Sequence, residues 1–334
     1  MRLRTLLAAT TAALAAATCL TAAGPANARQ DGGTHHACSP SVSIDRFSDA
    51  LDKTTYDGTY VGNLSALAPD RHRTVAALSD RSALFRLDAR TLRPEGVIPL
   101  ADENGAALDS EGLVVDLHSR LRSSGGNPIG TYLVSSEAEP SIRRYSRDGK
   151  ILDRLPVPEE LRTRARVNGS FEGLTLLPGG RTLVASMEYA LTGDPADQVR
   201  LQTWRRTAHG GFRTGAQYTY RVDQGLGVTE VTAAPDGRLL VLERGFTSGV
   251  GNTVRLYLAD RHGTTYDKTL LADLADCPSL GATAGQPQPN PLLDNIEGMV
   301  VTGRGHGRLK VLLVSDDNQN ASQTTRFYAL RVRL

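Results

Sequence analysis

Nine carboxylates recur at matching places in five similar stretches of this chain. Glu111, Glu172, Glu230 and Glu297 each open a short apolar run, and Ser65 stands at the equivalent place of the first stretch. Asp80, Glu137, Glu188, Glu243 and Asp316 each close the run that follows. If each pair of runs is an antiparallel hairpin, the start of one strand and the end of the next lie at the same end. All nine acids then share one rim. Crowded carboxylates raise one another's pKa, and the crowding is relieved by opposite charge. Arg81 and Arg244 directly follow two of the acids and supply some of that charge. A hard cation is the other remedy, because calcium takes six to eight oxygen ligands from carboxylates, amides and carbonyls. Asn168, Asn295, Asp317 and Asn318 stand beside the ring and could complete such shells. The competing reading is structural: a Glu at a strand start accepts backbone amides from the neighbouring unit and locks the ring. Gly112, Gly173 and Gly298, which follow three of the acids, would serve close packing near an axis.

The elements that would position these acids are hairpins. They span 63–81, 109–139, 170–189, 227–245 and 294–318, with turns rich in Pro, Asp and Gly and a long polar insertion in the second. Further strand-like segments follow each, so the unit has at least three strands. The acids that open the last four units follow one another at 61, 58 and 67 residues. A unit of this size cannot bury both faces alone, and stacking units in a ring does so. The expected fold is therefore all-β: a single β-propeller-like domain over 42–334, with five blades and a sixth if one unit is degenerate. The segment VSIDRFSDAL at 42–51 would close the ring against the C-terminal RFYALRVRL. A pair of β-sandwiches is the rival architecture, but it has no need of so regular a unit. The main helix candidate is PEELRTRARV at 158–167. Trp204 reads as packing.

Residues 1–28 have the order of a secretory signal peptide, with Arg2 and Arg4, an apolar run, then Ala26-Asn27-Ala28. Cleavage is expected after Ala28, with secretion, and residues 29–41 read as a flexible lead. A lipid anchor at Cys19 is the weaker alternative, because Ala16-Ala17-Thr18 is a poor lead-in. The remaining chain has no net charge, which argues against nucleic acid and polybasic membrane partners. No later segment approaches the ~20 apolar residues of a membrane helix. Cys38 and Cys277 remain after processing. In an exported protein they invite one disulfide, and two unpaired thiols are the other reading. The chain has no Cys/His cluster of zinc type, no G-x-S-x-G elbow and no phosphate-binding loop. Asp316-x-Asn318-x-Asn320 begins like a calcium loop but lacks the glycine and glutamate of an EF-hand.

At LSDR (78–81), NGSFEGL (168–174), SMEY (186–189), LERG (242–245), DNIEGM (294–299) and VSDDN (314–318) the sequence resembles the bacterial phytase-like domain family, also called "esterase-like activity of phytase". The resemblance runs from about residue 43 to the C-terminus. It implies a secreted β-propeller-like protein, read here as a monomer, and a hydrolase of small-molecule phosphate esters or other esters. Bound calcium would reverse the charge of the rim and admit a phosphate. The metal candidates are Glu111, Glu172, Glu230, Glu297 and Asp316. Glu188 and Glu243 are the acid/base candidates, and Arg81 and Arg244 would hold phosphate oxygens. Two alternatives compete. One is a non-catalytic extracellular module that binds calcium or a ligand at the same rim. The other is a carboxyl-ester hydrolase, disfavoured by the lack of a recognisable serine nucleophile.

Overall fold

The computed structural model describes residues 36–119 and 130–334. The expected signal peptide, most of the lead segment and the polar insertion of the second hairpin lie outside these residues. Strand β1 (Val42–Ser48) comes first, followed by a small hairpin of β2 (Thr54–Tyr56) and β3 (Thr59–Val61). The first unit is β4 (Leu64–Pro69), β5 (Thr74–Ser79), β6 (Ala83–Asp88) and β7 (Pro94–Pro99). The second is β8 (Ser110–Asp116), β9 (Thr131–Ser136), β10 (Ser141–Tyr145) and β11 (Ile151–Arg154). After helix α1 (Glu159–Arg164) comes the third: β12 (Phe171–Leu176), β13 (Thr182–Met187), β14 (Gln198–Arg206) and β15 (Phe212–Arg221). The fourth is β16 (Gly227–Ala233), β17 (Leu239–Thr247), β18 (Gly251–His262) and β19 (Thr265–Asp273). The fifth is β20 (Ile296–Gly305), β21 (Arg308–Ser315) and β22 (Phe327–Val332), completed by β1.

Each unit is an antiparallel meander of four strands. The expected closure is present, with β1 antiparallel to β22 from Val42↔Val332 to Ser48↔Phe327. The first strands pack in a cycle: β4 on β8, β8 on β12, β12 on β16, β16 on β20, and β20 on β4. That cycle is propeller-like and is not the layering of sandwiches. A parallel bridge, Thr219↔Thr265 and Tyr220↔Tyr266, joins the outer strands of units three and four into one eight-stranded sheet.

Strands in such a ring bury both faces, which explains the continuous apolar runs. Leu240, Leu242 and Leu256 of unit four pack with Met299 and Leu313 of unit five, while Leu239 and Val241, one residue out of phase, join the core shared with unit three. Near the axis the strands approach closely enough to require glycine. A Cβ on Gly112 would lie 2.3 Å from the carbonyl of Glu172, and one on Gly173 2.4 Å from the amide of Val231. Cys38 and Cys277 are disulfide-bonded, tying the segment before β1 to the turn after β19. Helix α1 is shorter than its sequence signal; Asn168, with φ +47°, turns the chain soon after it. Trp204 is buried, edge-on to Phe171, and donates to the Pro156 carbonyl at 2.7 Å. Among the described residues no helix is long and apolar enough to cross a membrane.

Candidate functional site

Every first strand carries a bulge near its start. The pairings Leu64↔Ser79, Ser110↔Ser136, Phe171↔Met187, Val228↔Glu243 and Ile296↔Ser315 stand immediately before it. The residue after each of these on the first strand is unpaired, and a bulge re-aims such a side chain. Those residues are Ser65, Glu111, Glu172, Thr229 and Glu297. The residue after each partner on the second strand is Asp80, Glu137, Glu188, Arg244 or Asp316. Backbone bonds fix this second set: the amides of Asp80, Glu137, Glu188 and Asp316 donate to the carbonyls of Asn63, Asp109, Ser170 and Asn295 at 2.7–2.9 Å.

The two sets, Thr229 apart, line a bowl of about 460 Å³ at one end of the channel. Its walls hold Ser65, Asp80, Arg81, Glu111, Glu137, Glu172, Glu188, Arg244, Glu297 and Asp316, together with Asp109, Asn168, Tyr189 and Asn318. The other end of the channel is lined mainly by apolar residues from the same five strands, among them Leu67, Leu113, Leu174 and Val300, around about 330 Å³.

Two of the expected site residues are not in the bowl. Glu230 stands one residue later than Glu172 in the register, opposite Leu242, at the level of Gly112 and Gly173. Its Oε1 accepts from the amides of Val231 at 2.8 Å and Leu174 at 3.2 Å, so it locks neighbouring units as the structural reading expected. Glu243 precedes the rim position held by Arg244. Because alternate residues of a strand face opposite ways, it points to the seam with unit three. There it accepts from Tyr220 Oη at 2.6 Å, Lys268 Nζ at 2.5 Å and the Asp223 amide at 2.8 Å. Asp317, expected to complete a cation shell, accepts instead from Lys53 Nζ at 2.6 Å, the Asn63 amide at 3.0 Å and Tyr60 Oη. The sequence reading missed Asp109 and Tyr189. Asp109 could have been found, since it precedes Glu111 by two, the spacing at which an extended chain repeats a face.

The bowl is strongly anionic in composition. Arg244 pairs with Glu297 Oε1 at 2.8 Å, and Arg81 Nε lies 3.5 Å from Asp80. Asn295 Nδ2 also donates to Glu297 Oε1 at 2.9 Å. Burial, reinforced by neighbouring carboxylates, pushes Glu111, Glu172 and Asp316 well above the usual carboxylate range. Burial and then Glu188, Asp109 and Glu297 push Glu137 up to about 8. Burial pushes Glu188 up to about 7 against the pull of Arg244. Asp80 is pushed up to about 6 by burial, with Arg81 acting against it.

The donor set suits a hard cation. Carboxylate oxygens of Asp109, Glu111 and Glu137 lie within 4.8 Å of one another, and so do those of Glu137, Glu172 and Glu188. Calcium–oxygen bonds of about 2.3–2.6 Å allow two ligands of one ion to be up to roughly 5 Å apart. Among the described residues no thiol or imidazole lines the bowl, and Asn168 and Asn318 add neutral oxygens.

The family model described as "Phytase-like: Esterase-like activity of phytase" matches residues 59–319. No curated protein matches the chain. Among solved structures, the chain is similar to a protein of unknown function from Bacteroides caccae, with a TM-score of 0.35 and 10% identity over 74% of this chain and 68% of that one. It is also similar to two structures of the extracellular domain of BT4673 from B. thetaiotaomicron, one described as a hybrid two-component system and the other as a one-component system. Their TM-scores are 0.39 and 0.37 at 11% identity, over 83% and 82% of this chain. The chain spans 28% of the length of each.

Proposed function

The chain belongs to the phytase-like family, esterase-like activity of phytase, and from that premise we propose a secreted hydrolase of small-molecule phosphate esters or related esters that depends on a divalent cation, with calcium the best fit. The observation that carries this reading is the pair of carboxylate triads in a bowl whose only cationic side chains among the described residues are Arg81 and Arg244. A dianionic phosphate is repelled by such a surface until cations neutralise it. When bound there, a divalent cation would hold phosphate oxygens and lower the pKa of a water molecule.

The protein's own residues divide the remaining work. Asp109, Glu111, Glu137, Glu172 and Glu188 are the cation ligands. Glu188 was expected to move a proton; its place in a triad with Glu137 and Glu172 supports reading it as a cation ligand instead. Glu230 and Glu243, which bind amides and the Lys268 ammonium away from the bowl, take no part. Asp80, Asp316 and Glu297 line the bowl outside both triads; with Glu297 held by Arg244, Asp80 and Asp316 are left to carry a proton, Asp80 being pushed up to about 6. Arg244, held on Glu297, can share its guanidinium with a substrate oxyanion, and Arg81 stands at the exposed edge.

The test is phosphate release from phytate and from an aryl phosphate, by the processed protein with calcium and again after chelation. Release with calcium that chelation abolishes is expected. No release in either condition, from protein shown to be folded, would leave the bowl a cation- or ligand-binding surface without turnover. Hydrolysis of aryl acetates that survives chelation would point to carboxyl-ester chemistry instead.

A further inference from the structure

We propose that the bowl binds two divalent cations, not one, and that Glu137 is the ligand they share. The proposal rests on the cation reading above and adds number and arrangement to it. Two sets of carboxylates come within the reach of a single ion, Asp109 with Glu111 and Glu137, and Glu137 with Glu172 and Glu188. Only Glu137 belongs to both, and no single set takes in all five among the described residues. The units that supply them explain the arrangement. Asp109, Glu111 and Glu137 come from the second unit and Glu172 and Glu188 from the third, whose first strands, β8 and β12, pack together.

A second observation is independent of the clustering. Glu111 and Glu172, one in each triad, are 7% and 6% exposed, and among the described residues neither carboxylate has a hydrogen-bond or ion-pair partner, although both line the cavity. Other deeply buried acids are answered: Asp116 accepts from Arg144 and Arg206, Glu243 from Lys268, Glu230 from backbone amides. A buried carboxylate left without a partner is costly. One unanswered carboxylate in each triad calls for one cation in each. Glu137 fits the shared place, because its Oε1 is buried and without a partner. The charges agree. Five ionised carboxylates and one divalent ion leave a net charge of about −3, which still repels a phosphate, whereas two ions leave about −1.

The experiment is a calcium titration of the processed protein followed by calorimetry, with calcium chloride as the only ligand. Two ions per chain are expected. Asp109→Asn and Glu188→Gln should each leave one ion bound at near wild-type affinity, and Glu137→Gln should weaken both at least tenfold. Circular dichroism and melting would establish that each variant is folded; a carboxamide is nearly isosteric and removes repulsion in the cation-free state. One ion per chain in the wild type would overturn the two-site proposal and leave the cation reading standing. So would a Glu137→Gln protein that binds both ions undiminished, as far as sharing is concerned. No calcium binding at millimolar concentration would overturn the cation reading and this proposal together.

Discussion

Units three and four carry nearly the same acids in sequence and use them in opposite ways. In unit three, Phe171 pairs with Met187, so Glu172 falls on the bulge and Glu188 on the rim. In unit four, Val228 pairs with Glu243, so Thr229 falls on the bulge and Arg244 on the rim. The acids of unit four are displaced by one residue on each strand, in opposite chain directions. One residue is enough to turn a side chain to the other face. Glu230 reaches the waist of the channel and binds backbone amides, and Glu243 reaches the seam with unit three and binds Lys268. The difference shows that an acid near a strand end faces the bowl or acts as a structural fastener according to its phase against the bulge. It also makes the bowl lopsided. Units one, two, three and five all bring carboxylates to it, unit two the most, and unit four brings the buried arginine and no acid.

The largest expected effect breaks the comparison at its strongest point. Glu243→Ala should cost about 3 kcal/mol of folding stability, because removing the buried carboxylate strands a half-buried lysine and a buried tyrosine. This is the lower end of the usual range, since Lys268 keeps Asp223. Glu188→Gln should leave the cation-free protein as stable as wild type or slightly more so, while it lowers calcium affinity. Denaturant unfolding in chelator and calcium titration measure both. If Glu243→Ala is neutral for stability or Glu188→Gln is strongly destabilising, the two units do not divide the roles as described.

Acidity sharpens the same contrast. In unit four, burial works against Asp223, but hydrogen bonds from Lys268, Tyr257 and Arg255 hold it down to about 2. Its contribution is present above the unfolded value of about 3.9 and is lost as pH falls toward 2. In the bowl the sign is reversed. Glu137 and Glu188 sit at about 8 and 7 against an unfolded value of about 4.3. The folded protein keeps protons that the unfolded chain has released, so stability present below pH 4.3 is lost as pH rises through 7 and 8. Chelated protein should therefore melt at a lower temperature at pH 8 than at pH 5.5. Calcium should raise the melting temperature more at pH 8, where it displaces fewer protons. A chelated protein that gains stability between pH 5.5 and 8 would contradict the crowding of the bowl.

Much of this was legible before the structure. The repeat of hairpins, the closing strand and the shared end of Glu111, Glu172, Glu297, Asp80, Glu137, Glu188 and Asp316 follow from strand alternation and turn chemistry, which are local. The phase of unit four is not local. Thr229-Glu230 and Glu243-Arg244 look like displaced copies of Glu172-Gly173 and Met187-Glu188, and only the bulge decides which residue is paired. One hint was present, since Glu230 is followed by valine where the other three opening glutamates are followed by the glycine that close packing requires. The parallel bridge between β15 and β19 depends on contacts between distant strands, and nothing in the spacing announces it.

The smallest expected effect concerns the two arginines. Both follow an acid in sequence and both line the bowl, yet their settings differ. The Arg244 side chain is 16% exposed and bonded to Glu297 at 2.8 Å, while that of Arg81 is 67% exposed with its Nε 3.5 Å from Asp80. An exposed pair of this length contributes little, so Arg81→Ala should change stability by less than about 0.5 kcal/mol. Its guanidinium is also free to follow solvent, so its loss should raise KM for a phosphate ester by about two- to threefold with kcat unchanged, the mark of weak binding outside the reacting atoms. Arg244→Ala should raise KM by about tenfold or more, because it removes a preorganised guanidinium and leaves Glu297 without its cation. Steady-state kinetics of the two variants beside wild type decide the matter. Equal losses would mean that Arg81 swings onto the substrate, and the anion would then be held from unit one as well as from unit four.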